Sequence, residues 1–280
     1  MRMRRHTPNL ATPDNFLQRH SVVSYFALTF AISWLGALAV ALPALLRHQP
    51  VSKATGIVMF PAMLLGPSLA GLLLTRVVDG RIGVRNLLSR ISLRHVRSRW
   101  YAALILPPVL VLAILLLLKE VVSPAFAPNF FAPGIIFGVP AGFLEEIGWT
   151  GYAFPKMRSG NSAFTSAVHL GLLWSVWHLP VVDHLGAAAP HGAYALRFFL
   201  AFGLAMTAMR VLIVWLYANT NSILLSQLMH MSSTAALVVF GAPRVSAAQE
   251  TMWYAFYGFI LWLVVALIAK TFGERLVRQE

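Results

Sequence analysis

Two adjacent carboxylates, Glu145 and Glu146, sit in an otherwise apolar run, Phe143-Leu144 before them and Ile147-Gly148-Trp149 after. The other seven of the nine acidic residues fall in tails or loops or, for Glu120, at an apolar edge. An ionisable group at bilayer depth costs about 2.5–3.5 kcal/mol on insertion scales, so the pair requires a polar cavity or cationic partners. Neighbouring helix positions point about 100° apart. One carboxylate can therefore face a cavity while the other reaches sideways, and two different roles follow.

Two histidines come to the same level. The midpoint of positions 145 and 178 falls beside Gly160-Asn161, a natural turn. If both flanking helices run unbroken, with Pro155 only kinking its own, Glu145 and His178 each lie about 22 Å from the tip. His230 lies about 15 Å from a turn near Asn219 to Asn221, with Gln227 at i−3 and Thr234 at i+4 on its own face. Those three form one hydrogen-bonding edge. Trp174, one turn before His178, joins Trp177 and Pro180 as a bulky wall around a polar group. His169 is half a turn out of phase with His178 and reads as an interhelical residue, while His184 and His191 are expected in a solvated loop. Arg210 is the cation placed well inside an apolar stretch, either paired with Glu146 or snorkelling to a membrane face.

The elements that must position these groups are membrane helices. The chain has 280 residues, 58% hydrophobic and 11% charged, with a mean hydropathy of +0.71, far from the balance of a soluble domain. Apolar runs long enough to cross a bilayer lie near 22–46, 55–78, 101–122, 133–154, 162–182, 194–217, 219–240 and 252–270. The expected fold is all-α, a polytopic bundle of about eight transmembrane helices. It divides into a basic tail (1–21), N-terminal spans (22–132), a core carrying the polar residues (133–240), and a last span with its tail (241–280). The first run is too long for a signal h-region and reads as a retained span. A net charge of +13 combined with this hydropathy excludes a nucleic-acid binder and points to lipid contacts and orientation signals. The chain has no cysteine, which removes disulfides, thiolate zinc sites and a Cys nucleophile.

Lys and Arg are distributed sixteen to four between alternate loops, with Arg197 and Arg210 assigned to the sixth span. The positive-inside rule then places both termini in the cytoplasm of an integral membrane protein, of the kind found in a bacterial-type cell membrane.

The runs Phe143-Leu144-Glu145-Glu146-Ile147-Gly148-Trp149-Thr150-Gly151-Tyr152, Trp174-Ser175-Val176-Trp177-His178-Leu179-Pro180, and Asn219-Thr220-Asn221-Ser222 leading to His230 resemble the CPBP family of intramembrane endopeptidases, which includes the type II CAAX prenyl endopeptidases and the Abi proteins. The resemblance covers roughly 133–240. Glu145, Glu146, Trp174, His178 and His230 match its pattern, whereas Thr150 stands where an Arg is expected and Thr234 where an Asn or Asp is expected. The resemblance implies hydrolysis of a peptide bond in a membrane-associated protein or peptide, in a water-filled cavity opening toward the cytoplasm. Glu145 and His178 would activate the water, and His230 with Thr234 would stabilise the oxyanion, while Glu146, without the family Arg, would be protonated, bond to Thr150 or find another cation. No cofactor is required on this reading. A divalent metal such as zinc would take Glu145, His178 and His230 as ligands, but no His-Glu-x-x-His pattern occurs. A proton-coupled transporter using the same groups as a relay, and a non-catalytic scaffold of the same fold, are the alternatives. A serine mechanism would have Gly66-Pro67-Ser68, which reads as helix packing.

Overall fold

A computed structural model describes residues 16–92 and 96–277. Among them every regular element is helical. Six helical segments are long and apolar enough to cross a membrane: Ser21–Leu46, Lys53–Val78, Arg99–Val121, Gly192–Thr220, Ile223–Phe240 and Ala247–Phe272. The two remaining expected spans are present in altered form. We label the main helices α1 (Ser21–Leu46), α2 (Lys53–Val78), α3 (Gly80–Ile91), α4 (Leu106–Val121), α5 (Ile135–Gly148), α6 (Ala163–Trp177), α7 (Ala195–Thr220), α8 (Ile223–Phe240) and α9 (Ala247–Phe272).

Helix α5 continues through a π-helical turn, Trp149–Ala153, into a last turn at Phe154–Arg158, so Pro155 does not end it. A proline cannot donate to the carbonyl four residues back. That carbonyl, of Gly151, accepts instead from Arg90 Nη2 at 3.0 Å. Arg90 belongs to α3, so the Arg-rich segment expected as a loop contains a helix that buries Leu87 under the bundle. Helix α6 stops at Trp177, with His178 as its C-cap, rather than continuing to 182. Pro180 disfavours helix at the residue before it, and the chain then turns through Val182–His184.

The core helices approach through small residues. Gly134, Gly138 and Gly142 repeat at four-residue spacing, which keeps them on one face of α5. A Cβ on Gly138 would lie 2.7 Å from the Met231 carbonyl oxygen, and one on Gly142 2.5 Å from that of Gln227, so α5 meets the backbone of α8 directly. Glu146 is the next position on that ridge. Gly66-Pro67-Ser68 serves packing as expected, since the buried Ser68 hydroxyl donates to the Leu144 carbonyl. Helix α7 packs between α6 and α9 and turns into α8 through Asn221 in the left-handed region, φ 52°, a conformation Asn tolerates well.

The bundle has two distinct ends. Lys156 pairs with Asp79 at 2.8 Å, and Phe164 N–H donates to the Glu274 carbonyl at one end. At the other, Lys53 Nζ donates to the Ala187 carbonyl at 3.1 Å, and Asn129 N–H faces the Phe240 carbonyl. The first end carries the basic loops.

Candidate active site

Glu145 is fully buried. Its Oε2 accepts from the indole N–H of Trp149, one turn later in the same run, at 3.0 Å, and from that of Trp174 on α6 at 2.8 Å. Its Oε1 has no hydrogen-bond partner among the described residues. The adjacent carboxylate has a different environment, as the 100° offset requires.

Glu146 is equally buried, and both its oxygens accept from Arg210 Nη1 at 2.8 Å. His230 Nδ1 donates to its Oε1 at 2.8 Å and the Thr150 hydroxyl to its Oε2. Arg210 lies on α7 with no exposed surface, its guanidinium 4.2 Å from the Trp174 ring centre. Of its two expected placements, pairing with Glu146 is the one found. Thr150 keeps the hydrogen bond that its position one turn after Glu146 allows. The cation comes from a different helix.

Trp174 joins these groups. Its ring centre is 5.4 Å from that of His178 and 5.0 Å from that of His230, while its N–H holds Glu145. His178 Nδ1 lies 2.8 Å from the Trp174 carbonyl oxygen. A carbonyl can only accept, so that nitrogen carries the proton and Nε2 keeps its lone pair. The bond of His230 Nδ1 to Glu146 leaves that ring's Nε2 free in the same way. Both histidines line a cavity of about 180 Å³ together with Trp174, Thr234 and the apolar side chains of Phe60, Phe202 and Met206. Glu145 and Glu146 do not line it and lie behind Trp174 and His230.

Other expectations are corrected by the packing. Gln227 does not share the cavity edge with His230 and Thr234; its Nε2 donates to the Phe143 carbonyl at 2.9 Å and ties α8 to α5. Glu145, His178 and His230 do not assemble as a ligand set, and among the described residues no three His, Cys, Asp or Glu side chains form a metal-holding group. His169 is exposed on the outer face of α6. His184 lines the cavity, whereas His191 is buried rather than solvated, with Nδ1 2.8 Å from Asp183 Oδ1 and Nε2 3.2 Å from Glu250 Oε2. Glu250 is buried in the first turn of α9, not in a loop, and also accepts from the Ala187 and Ala188 N–H groups at 2.6 and 2.7 Å. Burial alone would discourage charge on His191, but its hydrogen bonds to Glu250 and Asp183 outweigh that and raise its pKa above the ordinary value.

The cavity opens at the Lys53 end. Lys53, His184, Leu185, Gly186, Val238 and Tyr254 line it, and all belong to the end of the bundle opposite the basic loops. Termini in the cytoplasm and a cavity opening to the cytoplasm are therefore incompatible expectations for this fold.

Residues 127–236 match the family model described as type II CAAX prenyl endopeptidase, Rce1-like. The matched segment carries Glu145, Glu146, Trp174, His178, Arg210 and His230. A curated relative, CAAX prenyl protease 2 of Methanococcus maripaludis, is 27% identical over 211 residues, covering 68% of this chain and 73% of the relative. Over this segment the chain is similar to CAAX prenyl endopeptidases. In this chain the cation for Glu146 comes from α7 rather than from position 150.

Three features were missed by sequence reasoning. Trp149 was available as a donor four residues after Glu145. The glycine ridge was visible as a four-residue repeat ending on Glu146. Glu250 was readable from Ser246-Ala247-Ala248-Gln249, a capping box that starts α9 well before the apolar run.

Proposed function

We propose that this protease hydrolyses a peptide bond of an apolar, membrane-associated peptide with a water activated by Glu145 and His178. The observation that carries the reading is the pair of cavity-lining imidazoles, each with Nδ1 tied to an acceptor and Nε2 left for substrate or water. His178 Nε2 accepts a proton from the water, and Glu145, whose buried Oε1 has no hydrogen-bond partner among the described residues, orients it. Hydroxide adds to the carbonyl carbon. His230, with its Nδ1–H held by Glu146, bears positive charge when Nε2 is protonated and then donates to the oxyanion, aided by the Thr234 hydroxyl one turn later. The C–N bond breaks, and the proton taken by His178 passes to the departing amine.

The two indole N–H groups occupy one oxygen of Glu145, which favours a water-orienting role over metal ligation. The similarity to CAAX prenyl endopeptidases makes a prenylated C-terminal peptide the substrate to test, and the apolar cavity walls suit such a chain. Mass spectrometry of farnesylated and unmodified versions of one C-terminal peptide, incubated with the purified protein in detergent, tests the reading. Two fragments whose summed mass exceeds the peptide by one water are expected, with the farnesylated form cleaved faster and chelators without effect. Intact peptide in both arms overturns it.

A further inference from the structure

We infer that Arg90 is a positioning residue for the hydrolysis: from α3 it clasps the π turn and so holds Trp149 and Thr150 against the two carboxylates. The word hydrolysis rests on the peptidase reading, whereas the clasp stands on geometry. The turn Trp149–Ala153 carries one donor for each carboxylate, the Trp149 indole for Glu145 and the Thr150 hydroxyl for Glu146. Each donor acts from one turn after its acceptor, so both stay on target only while the turn keeps its shape. Its own hydrogen bonding is incomplete. Pro155 has no N–H, and the Gly151 carbonyl, next in sequence after Thr150, loses its donor four residues on. A π turn is rare and occurs mostly as a single turn inside an α-helix, so support from outside the helix is what fixes it here.

Arg90 supplies that support. Its Nη2 donates to the Gly151 carbonyl at 3.0 Å, its Nη1 to the Tyr217 hydroxyl, and its Nε to the Asn86 carbonyl one turn back on α3 at 3.3 Å. A guanidinium presents these donors as one rigid fork, so the three acceptors are held in a single plane of reference. Tyr217 follows Arg210 by seven residues on α7, two turns along the same face, and Arg210 is the cation of Glu146. One side chain therefore ties the turn that carries the donors to the helix that carries the cation.

Packing sets the register of the clasp. Leu87, buried one turn before Arg90, stands over Gly151, where an added Cβ would come 3.5 Å from the Leu87 Cγ. The Phe154 ring meets that of Tyr217 edge-on, with centres 5.9 Å apart. Arg90 itself does not line the cavity of His178 and His230. Its loss should therefore slow the chemical step without weakening the binding of peptide.

Arg90→Gln leaves a neutral amide too short to span Gly151 and Tyr217. With the farnesylated peptide in detergent it should show a kcat roughly tenfold or more below wild type, the loss expected for a charge-assisted hydrogen bond, at unchanged KM. Tyr217→Phe keeps the ring and removes one arm of the clasp; it should lower kcat by a smaller factor, and it serves if Arg90→Gln does not fold. Lys156→Gln is the control, since it breaks the pair with Asp79 that also links this end of α5 to the start of α3 and should leave kcat unchanged. Hydrogen exchange read by mass spectrometry, which needs no cleavage, should be faster across residues 149–153 in Arg90→Gln and Tyr217→Phe than in wild type. A wild-type kcat in a folded Arg90→Gln protein, a change confined to KM, an equal loss in Lys156→Gln, or unchanged exchange across the turn overturns the inference. A wild type that leaves the peptide intact counts against the peptidase reading alone, and the exchange comparison then decides the clasp.

Discussion

Arg210 Nη1 lies 2.8 Å from both carboxylate oxygens of Glu146, and neither side chain has exposed surface. The pair joins α7 to α5 across the centre of the bundle and fixes the oxygen that holds His230 Nδ1. Breaking a buried ion pair by removing one partner costs about 3–5 kcal/mol, because the other charge is left unpaired. Arg210→Ala should therefore lower the unfolding midpoint in detergent and abolish most cleavage. Thr150→Arg alone should reduce stability by crowding a second cation against Arg210. In the double variant it should restore part of both properties, a coupling that the four-protein cycle measures directly. Additive losses would show that position 150 cannot take over from Arg210.

The glycine ridge controls how closely Glu146 approaches α8. Gly142→Leu adds a side chain whose Cβ alone would stand 2.5 Å from the Gln227 carbonyl oxygen. Overpacking of this kind costs about 1–3 kcal/mol, and here it also separates Glu146 from His230. Thermal unfolding and cleavage should both fall, while Gly160→Ala, where an added Cβ meets nothing within 4 Å, should change neither. Equal behaviour of the two variants would contradict a packing role for the ridge.

Much of the site was legible because spacing carries depth. The turn at Gly160-Asn161 brought Glu145 and His178 level, and the contact of both with Trp174 is what that arithmetic requires. Arg210 was legible as a cation inside an apolar stretch, but whether it pairs with Glu146 or snorkels to a membrane face was decided only by the packing of α7 against α5. The π turn at Trp149–Ala153 was not, since it comes from fitting Pro155 and the Arg90 contact into one helix, a tertiary demand with no local period. Glu250 was hidden for a different reason. A window that follows hydropathy starts α9 at its apolar run, whereas the helix starts at its cap. The opening of the cavity depends on which helix ends form a rim, and no single segment encodes that.

Trp174 holds Glu145 and carries the His178 acceptor, so its N–H and its ring can be separated. Trp174→Phe keeps an aromatic ring between the histidines and removes one donor to Glu145. Loss of a buried hydrogen bond to a charged group amounts to about 1.5–3 kcal/mol. The kcat should then fall roughly tenfold or more with little change in KM. A rise in KM at constant kcat would assign Trp174 to substrate packing instead.

His191 predicts a pH dependence of stability at the rim. Its folded pKa is raised, so its contribution is complete below the unfolded value of about 6.5 and is lost as pH rises through the higher folded value. The unfolding midpoint should decline above neutral pH in the wild type. His191→Gln should flatten that decline, and a wild type whose stability increases across the same range would contradict the assignment.

The central claim is that Glu145 and His178 together activate the water that cleaves the peptide. Initial rates of peptide cleavage by purified wild type, Glu145→Gln and His178→Gln, each checked for an intact unfolding transition, test it most directly. The account predicts that either substitution alone removes most of the activity and that the double substitution removes little more, because the two act as one unit. Cleavage at the wild-type rate in a folded Glu145→Gln or His178→Gln protein would contradict it.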